Sequence, residues 1–200
     1  MIDLPPPIYN FLQRFVHGEY ERQGEVLSAL DLPEGARIVE LGCGTGLFSK
    51  FFKPGTYVGV DFDEARIATA RLTYPEHTFL VGDTTMMTGD RLAEFDMAMC
   101  HGFIHHVDDA GVGRMVDAFR AAARKRSKPF SFLAIEPVLP ATIISNPVGY
   151  LLAKCDRGEY VRTIPELKKL FGPAITKIES LRTPVQWPVP GAAVHLRYAD

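Results

Sequence analysis

The stretch Arg37-Ile-Val-Glu-Leu-Gly-Cys-Gly-Thr-Gly-Leu-Phe-Ser49 decides how the rest of the chain is read. Its apolar run, Ile38, Val39 and Leu41, has the make-up of a buried parallel strand. Gly42, Gly44 and Gly46 follow at intervals of two, a turn whose missing Cβ atoms let backbone approach a ligand. Leu47, Phe48, Phe51 and Phe52 then recur at helical spacing, so the stretch predicts strand, glycine turn and helix, the first βα unit of a nucleotide-binding sheet. The glycines read G-x-G-x-G, whereas the dinucleotide fingerprint G-x-G-x-x-G would need a glycine where Leu47 stands. Downstream, Thr56-Tyr-Val-Gly-Val-Asp61 predicts a second strand ending in a carboxylate, about 20 residues on, where such folds hydrogen-bond a ribose hydroxyl.

Outward from this unit the chain alternates. Asp63-Glu-Ala-Arg-Ile-Ala-Thr-Ala-Arg-Leu72 reads as a helix with an acidic capped start. His77-Thr-Phe-Leu-Val-Gly-Asp83 is a third strand, again ending in a carboxylate, and Glu94-Phe-Asp-Met-Ala-Met-Cys100 a fourth. The loop His101-Gly-Phe-Ile-His-His-Val-Asp-Asp109 leaves it, a helix runs from Gly113 to Arg126, and Phe130-Ser-Phe-Leu-Ala-Ile-Glu-Pro137 is a fifth strand stopped by proline. The order βαβαβαβαβ predicts an α/β fold, a doubly wound parallel sheet with helices on both faces. Ile8 to Leu30 predicts one or two leading helices, broken near Gly18 and Gly24. Ala141 to Lys154 is mostly apolar with Pro147 and Gly149 inside it. Thr163-Ile-Pro-Glu166 forms a capping box on a short helix. Ala174 to Leu181 and Ala193 to Tyr198 read as two strands joined by a proline-rich loop.

With 200 residues, 46% of them apolar, the chain suits one domain over 1–200 with a sizeable core. Within it 1–30 is expected to be a helical cap and 138–162 an insertion on the substrate side. A net charge of −2 provides no electrostatic reason to expect a nucleic-acid or membrane partner. The basic run Arg124-Lys-Arg-Ser-Lys128 closes a predicted helix, where cations complement the backbone dipole. Cys43, Cys100 and Cys155 contain no C-x-x-C pair and read as reduced thiols. The start Met1-Ile-Asp-Leu-Pro-Pro-Pro7 lacks the basic and apolar regions of a secretion signal, and no apolar run reaches the roughly 20 residues of a membrane span. A soluble, cytoplasmic protein is expected; its oligomeric state is left open.

Val39-Glu-Leu-Gly-Cys-Gly-Thr-Gly46 followed by Val58-Gly-Val-Asp61 resembles the class I S-adenosylmethionine (SAM)-dependent methyltransferases, whose first motif has the form E/D-x-G-x-G-x-G. The resemblance covers roughly Ala36 to Pro137 with specific motifs. It implies a seven-stranded, mostly parallel sheet of order 3-2-1-4-5-7-6 with the last strand antiparallel. It places SAM on Glu40, Gly42, Cys43, Gly44 and Gly46, with Asp61 on the ribose and Phe62 beside it. Asp83 matches the acidic residue that meets the adenine amino group, with Thr84 next to it, and His101 closes the set. It also implies that the leading segment lies over the cofactor, which makes Tyr9, His17 and Tyr20 candidates for the substrate pocket or for packing.

Methyl transfer from a sulfonium is an in-line displacement in which alignment supplies much of the acceleration. A base is needed only where the acceptor must lose a proton. The loop after the fourth strand leaves the ligand edge of the sheet and holds His101, His105 and His106. Gly102-Phe-Ile-His-His-Val107 resembles the G-x-L-H-H-hydrophobic stretch frequent in small-molecule methyltransferases, so His106 and His101 are the favoured catalytic candidates; a capping or buried histidine is the alternative. Glu136 ends the fifth strand at the same edge, to meet substrate or to pair with a cation. Arg157, Tyr160 and Arg162 form a cluster that either binds a polar acceptor or is solvated. No metal is expected, because neighbouring histidines point apart and no third ligand stands at a recognised spacing. The N/D-P-P-Y/F motif of nucleic-acid amino-methylating enzymes is replaced by Cys100-His-Gly-Phe103, and the carboxylates of the metal-dependent catechol type are missing from the loop's start. A small-molecule acceptor follows from the resemblance. An NAD(P)-binding oxidoreductase and a non-catalytic SAM-binding domain are the other classes that use such a glycine turn.

Overall fold

The computed structural model describes residues 21–30, 32–140, 142–154, 158–181 and 191–198. In chain order these form α1 (Glu21–Ser28), β1 (Ile38–Leu41), β2 (Tyr57–Asp61), α2 (Glu64–Thr73), β3 (Thr78–Val81), α3 (Gly89–Leu92), β4 (Met97–His101), α4 (Asp109–Arg126), β5 (Phe130–Pro137), α5 (Pro147–Lys154), α6 (Ile164–Phe171), β6 (Ile175–Leu181) and β7 (Gly191–Tyr198). The seven strands lie in the order β3-β2-β1-β4-β5-β7-β6. All run parallel except β7, which is antiparallel to both β5 and β6. This is the architecture that the sequence predicts.

Register decides what each face of the sheet carries. Val39, Val58 and Thr78 align across the first three strands. The face they share continues through Ala98, Phe132 and Leu196. It packs on α3, α4 and α6 through Leu92, Met115, Phe119, Leu167 and Phe171. The opposite face presents Ile38, Met97, Met99, Leu133 and Ile135 to Val26 and Leu27 of α1 and to Phe48. Near β3 it presents Tyr57 and Phe79 to Ile67 and Ala70 of α2. Strands buried from both sides become continuous apolar runs, the pattern visible in β1 and β4.

Helix boundaries follow local chemistry. Asp63 caps α2, its Oδ1 accepting from the amides of Ala65 and Arg66. Asp108 caps α4, which ends at Ser127 in the left-handed region with three basic residues in its last turn. Thr163 and Glu166 form the expected capping box on α6. Pro147 opens α5, and Asn146 Oδ1 accepts from the Gly149 amide.

Two expectations are corrected. The helix predicted after the glycine turn is a single 3₁₀ turn, Ser49–Phe51. There the Ser49 hydroxyl bonds the Gly46 carbonyl at 2.7 Å, and Pro54 disfavours helical backbone at Lys53. The apolar spacing of Leu47, Phe48, Phe51 and Phe52 reflects packing under α1 instead. The fourth strand begins at Met97 rather than Glu94, because Glu94 and Phe95 amides still bond back to Arg91 and Leu92. In the mostly apolar segment before and in α5, Ile143, Ile144 and Leu151 are exposed, and Gly149 and Ala153 are buried. Tyr9, His17, Tyr20, Cys155, Arg157 and the proline-rich loop lie outside the described residues.

Candidate active site

The glycine turn begins where β1 ends, and β2 holds it. Amides of Gly42 and Cys43 both donate to the Val60 carbonyl, at 2.8 and 3.1 Å. The Gly44 amide donates to Asp61 Oδ2 at 2.8 Å, and the other carboxylate oxygen accepts from the Asp63 amide at 3.0 Å. Asp61 therefore fixes the turn while retaining lone pairs on both oxygens. Gly44 has φ +55°, and a Cβ there would meet nothing within 4 Å. A Cβ at Gly46, φ +76°, would lie 2.6 Å from the Phe79 ring, and one at Gly42 would lie 2.3 Å from Phe103. Two of the glycines thus admit protein and the middle one faces an opening.

Cys43 points down, its sulfur filling the gap left by Gly59 on β2. Beneath it Glu40 is buried and accepts a short hydrogen bond from the Tyr57 hydroxyl. Burial raises the Glu40 carboxyl to about 8, the Tyr57 bond opposing and the nearby Asp61 adding to the rise. Burial likewise pushes the Cys43 thiol up, with Glu40 and Asp61 adding to it. Phe62, next to Asp61, is 76% exposed, an unusual setting for a phenyl ring. Asp83 follows β3 at the same edge, exposed; its Oδ1 holds the Thr85 amide and hydroxyl, at 2.9 and 2.7 Å, and Thr84 is buried beside it. The Asp83 Oδ2 has no partner among the described residues.

The loop after β4 divides its histidines. His101 shares its sheet face with Ile135, and its ring lies 4.5 Å from that of Phe48, behind the glycine turn. Glu136 is on the other face, buried, and among the described residues it does not pair with an arginine or lysine. Its Oε1 accepts from the amides of Phe103 and Ile104, both at 2.9 Å, and its Oε2 from His105 Nδ1 at 2.8 Å. Burial alone would raise this carboxyl, but the His105 ring and the two amides outweigh it and hold it below the usual carboxylate range. His106 is exposed and lies against the His105 ring, centroids 4.1 Å apart. Arg162, read from sequence as an acceptor-binding or solvated cation, is buried. It donates to the carbonyls of Ile104 and Val107 at 3.1 and 2.8 Å and pairs with Asp109.

The fold carries a positive-φ glycine turn open at its middle residue, with a carboxylate at the end of each of the next two strands. A family profile described as "Methyltransferase domain" matches residues 38–126, which span that turn, both carboxylates and the histidine loop. Over these residues the chain is similar to a methyltransferase domain. It is 36% identical over 87 residues to a trans-aconitate 2-methyltransferase of Variovorax paradoxus, covering 42% of this chain and 32% of that protein. With a ubiquinone biosynthesis O-methyltransferase of Rhodopseudomonas palustris it shares 28% identity over 160 residues, covering 78% and 58%. The chain therefore spans between a third and somewhat over half of the length of such relatives. Among solved structures, magnesium protoporphyrin IX methyltransferase from Synechocystis, with bound S-adenosylhomocysteine, superposes with a TM-score of 0.63 at 16% identity, covering 100% of this chain and 90% of that one. That likeness establishes the methyltransferase fold.

His105 was not favoured by sequence reasoning, yet it is the histidine bonded to Glu136. The available signal was Glu136 itself: a carboxylate ending the strand beside β4 must find donors, and the amides of the adjacent loop are nearest. No group of three or more metal-ligating side chains occurs among the described residues. No described helix is long and apolar enough to cross a membrane.

Proposed function

We propose that the chain binds SAM over the glycine turn and transfers its methyl group to a small-molecule acceptor. The observation that carries this reading is the open Gly44 above the Asp61 carboxylate, a cradle that any Cβ would narrow, with exposed Phe62 and Asp83 along the same edge. The residues fit the cofactor: Glu40, Gly42, Cys43, Gly44 and Gly46 shape the turn, and Asp61 offers acceptor lone pairs to ribose hydroxyls. Phe62 offers a ring face to the adenine, Asp83 Oδ2 accepts from its amino group, and Thr84 and His101 border the set. Bound SAM supplies a methyl group activated on a sulfonium.

The protein's own part is alignment and proton handling. His106, exposed at the end of the loop after β4, takes the acceptor's proton where the acceptor has one to lose. His101 lines the cofactor side beside Phe48, and Glu136 acts behind the loop without touching substrate. The segment 138–162 returns beside its own start, with the Leu139 amide bonded to the Arg162 carbonyl at 2.9 Å, and forms the acceptor-side wall. Of the cap expected over 1–30, the described part is α1, whose Val26 and Leu27 pack on the sheet. A reducing cytoplasm suits Cys43 and Cys100, both buried and unpaired.

The relatives' names point to trans-aconitate or to an oxygen acceptor, and both are tested with radiolabelled SAM, against trans-aconitate and against the phenol catechol. Transfer to either supports the reading; His106→Ala should reduce transfer to the phenol at least tenfold with SAM affinity kept, and should leave transfer to trans-aconitate, whose carboxylates have no proton to lose, largely unchanged. SAM binding without transfer to any of a broad panel of small acids and phenols would favour the non-catalytic SAM-binding domain.

A further inference from the structure

Glu136 is a buried charge whose nitrogen donors come from one turn, with the Cys100 thiol on β4 reaching its Oε1 at 3.5 Å. Besides the amides of Phe103 and Ile104 and the His105 ring, the His105 amide approaches Oε2 at 3.4 Å. At the other end of that turn Arg162 takes the carbonyls of Ile104 and Val107. An anion on the amides and a cation on the carbonyls is the pairing that the backbone dipole favours. An ionised carboxylate only accepts, so the proton between Glu136 and His105 sits on Nδ1. The exposed ring of His106 rests on the ring so fixed.

We propose that Glu136 and His105 are positioning residues for His106: the carboxylate fixes the ring of His105, and that ring sets the place and charge of His106 at the acceptor edge. The inference rests on His106 as the proton acceptor. Among the described residues the other charged groups around this turn are Asp108 and Asp109 at the start of α4, and Glu159 and Arg162 on the returning segment, the last paired with Asp109. A hydrogen-bonded His105–Glu136 pair compensates the carboxylate's charge, which leaves His106 little electrostatic reason to hold a proton. Phenylalanine at 105 keeps a ring for His106 to stack on but leaves Glu136 uncompensated, so His106 holds its proton to higher pH. Glutamine at 136 removes the negative charge and moves the titration the other way; its amide also donates where Nδ1–H donated, which drives His105 to the Nε2–H tautomer.

The test is long-range ¹H–¹⁵N correlation NMR on protein labelled at its six histidines, titrated between about pH 5 and 9. His105 in the wild type is expected to carry its proton on Nδ1. His106 is expected to titrate higher in His105→Phe, lower in Glu136→Gln. His105→Asn, whose amide still donates to Glu136, keeps the carboxylate compensated and predicts a smaller upward shift than His105→Phe; if the phenylalanine variant does not fold, the wild-type tautomer and the downward shift in Glu136→Gln carry the test. A wild-type Nε2–H tautomer at His105, or shifts of His106 that are absent or alike in sign, would overturn the proposal, since loss of structure alone gives no opposed pair of shifts. With a phenol acceptor in hand, both substitutions should lower kcat at least tenfold with KM for SAM unchanged. Methyl transfer to the phenol at the wild-type rate in His106→Ala would overturn the proton-acceptor reading beneath the inference, whatever the spectra show.

Discussion

Alanine at Gly46 and valine at Gly44 are expected to damage different properties of the same turn. At Gly46 the φ of +76° costs a residue with a Cβ about 1–2 kcal/mol. The new methyl would also lie 2.6 Å from Phe79, a ring only 2% exposed and closed in by Tyr57, Ile67 and Ala70. Forcing a methyl into such packing costs about 1–3 kcal/mol more. Together these predict a loss of about 2–5 kcal/mol, a fall in Tm of roughly 5–15 °C for a domain of this size. At Gly44 the strain remains but the side chain enters open space, so the Tm should fall by only about 2–5 °C. SAM affinity, however, should fall below detection, because the valine occupies the cradle. Scanning calorimetry and titration calorimetry on both variants read the two effects separately. A folded Gly44→Val that binds SAM like the wild type, or a Gly46→Ala no less stable than Gly44→Val, would refute the division of the glycines into packing and ligand-facing positions.

Asp61→Ala removes a charged acceptor from ribose and the anchor of the Gly44 amide, and hydrogen bonds to charged groups contribute about 1.5–3 kcal/mol each. SAM affinity should fall at least tenfold by calorimetry; a loss under threefold would move the ribose contact elsewhere. Glu40, raised from 4.5 to about 8 in the fold, binds a proton that the unfolded chain has lost, so its contribution to stability is present below about pH 4.5 and lost as pH rises toward 8. Glu40→Gln, which keeps an acceptor for Tyr57, should flatten the fall in Tm between pH 5 and 8 by a shift on the order of a few kcal/mol; an unchanged slope would mean that Glu40 is ionised in the fold. In a Cys155→Ser background, Cys43 and Cys100 should resist a thiol reagent until denaturant is added, because burial disfavours both thiolates. Fast labelling of the native protein would show the turn to be open.

The fold was legible because its signals are local and periodic. Buried parallel strands write themselves as apolar runs, Asp63 and Thr163 mark helix starts, and Gly42, Gly44 and Gly46 carry backbone that few other residues adopt. The 3₁₀ turn at Ser49–Phe51 was not legible, because spacing alone does not separate a helix face from aromatic residues packed under a neighbouring helix. In the loop after β4, adjacent histidines gave no hint of their order of burial. That order depends on Glu136, more than thirty residues away, and on Arg162, which comes back across the loop from the far side of α5. Such long-range pairs leave no spacing in a sequence.

The glycine turn and the two strand-end carboxylates are the proposed SAM site. Titration calorimetry of the full chain with SAM and, separately, with NADH tests it most directly. SAM is expected to bind saturably at one site, with binding lost in Gly44→Val and weakened at least tenfold in Asp61→Ala, and NADH to give no heat. Saturable binding of NADH with none of SAM would contradict this assignment.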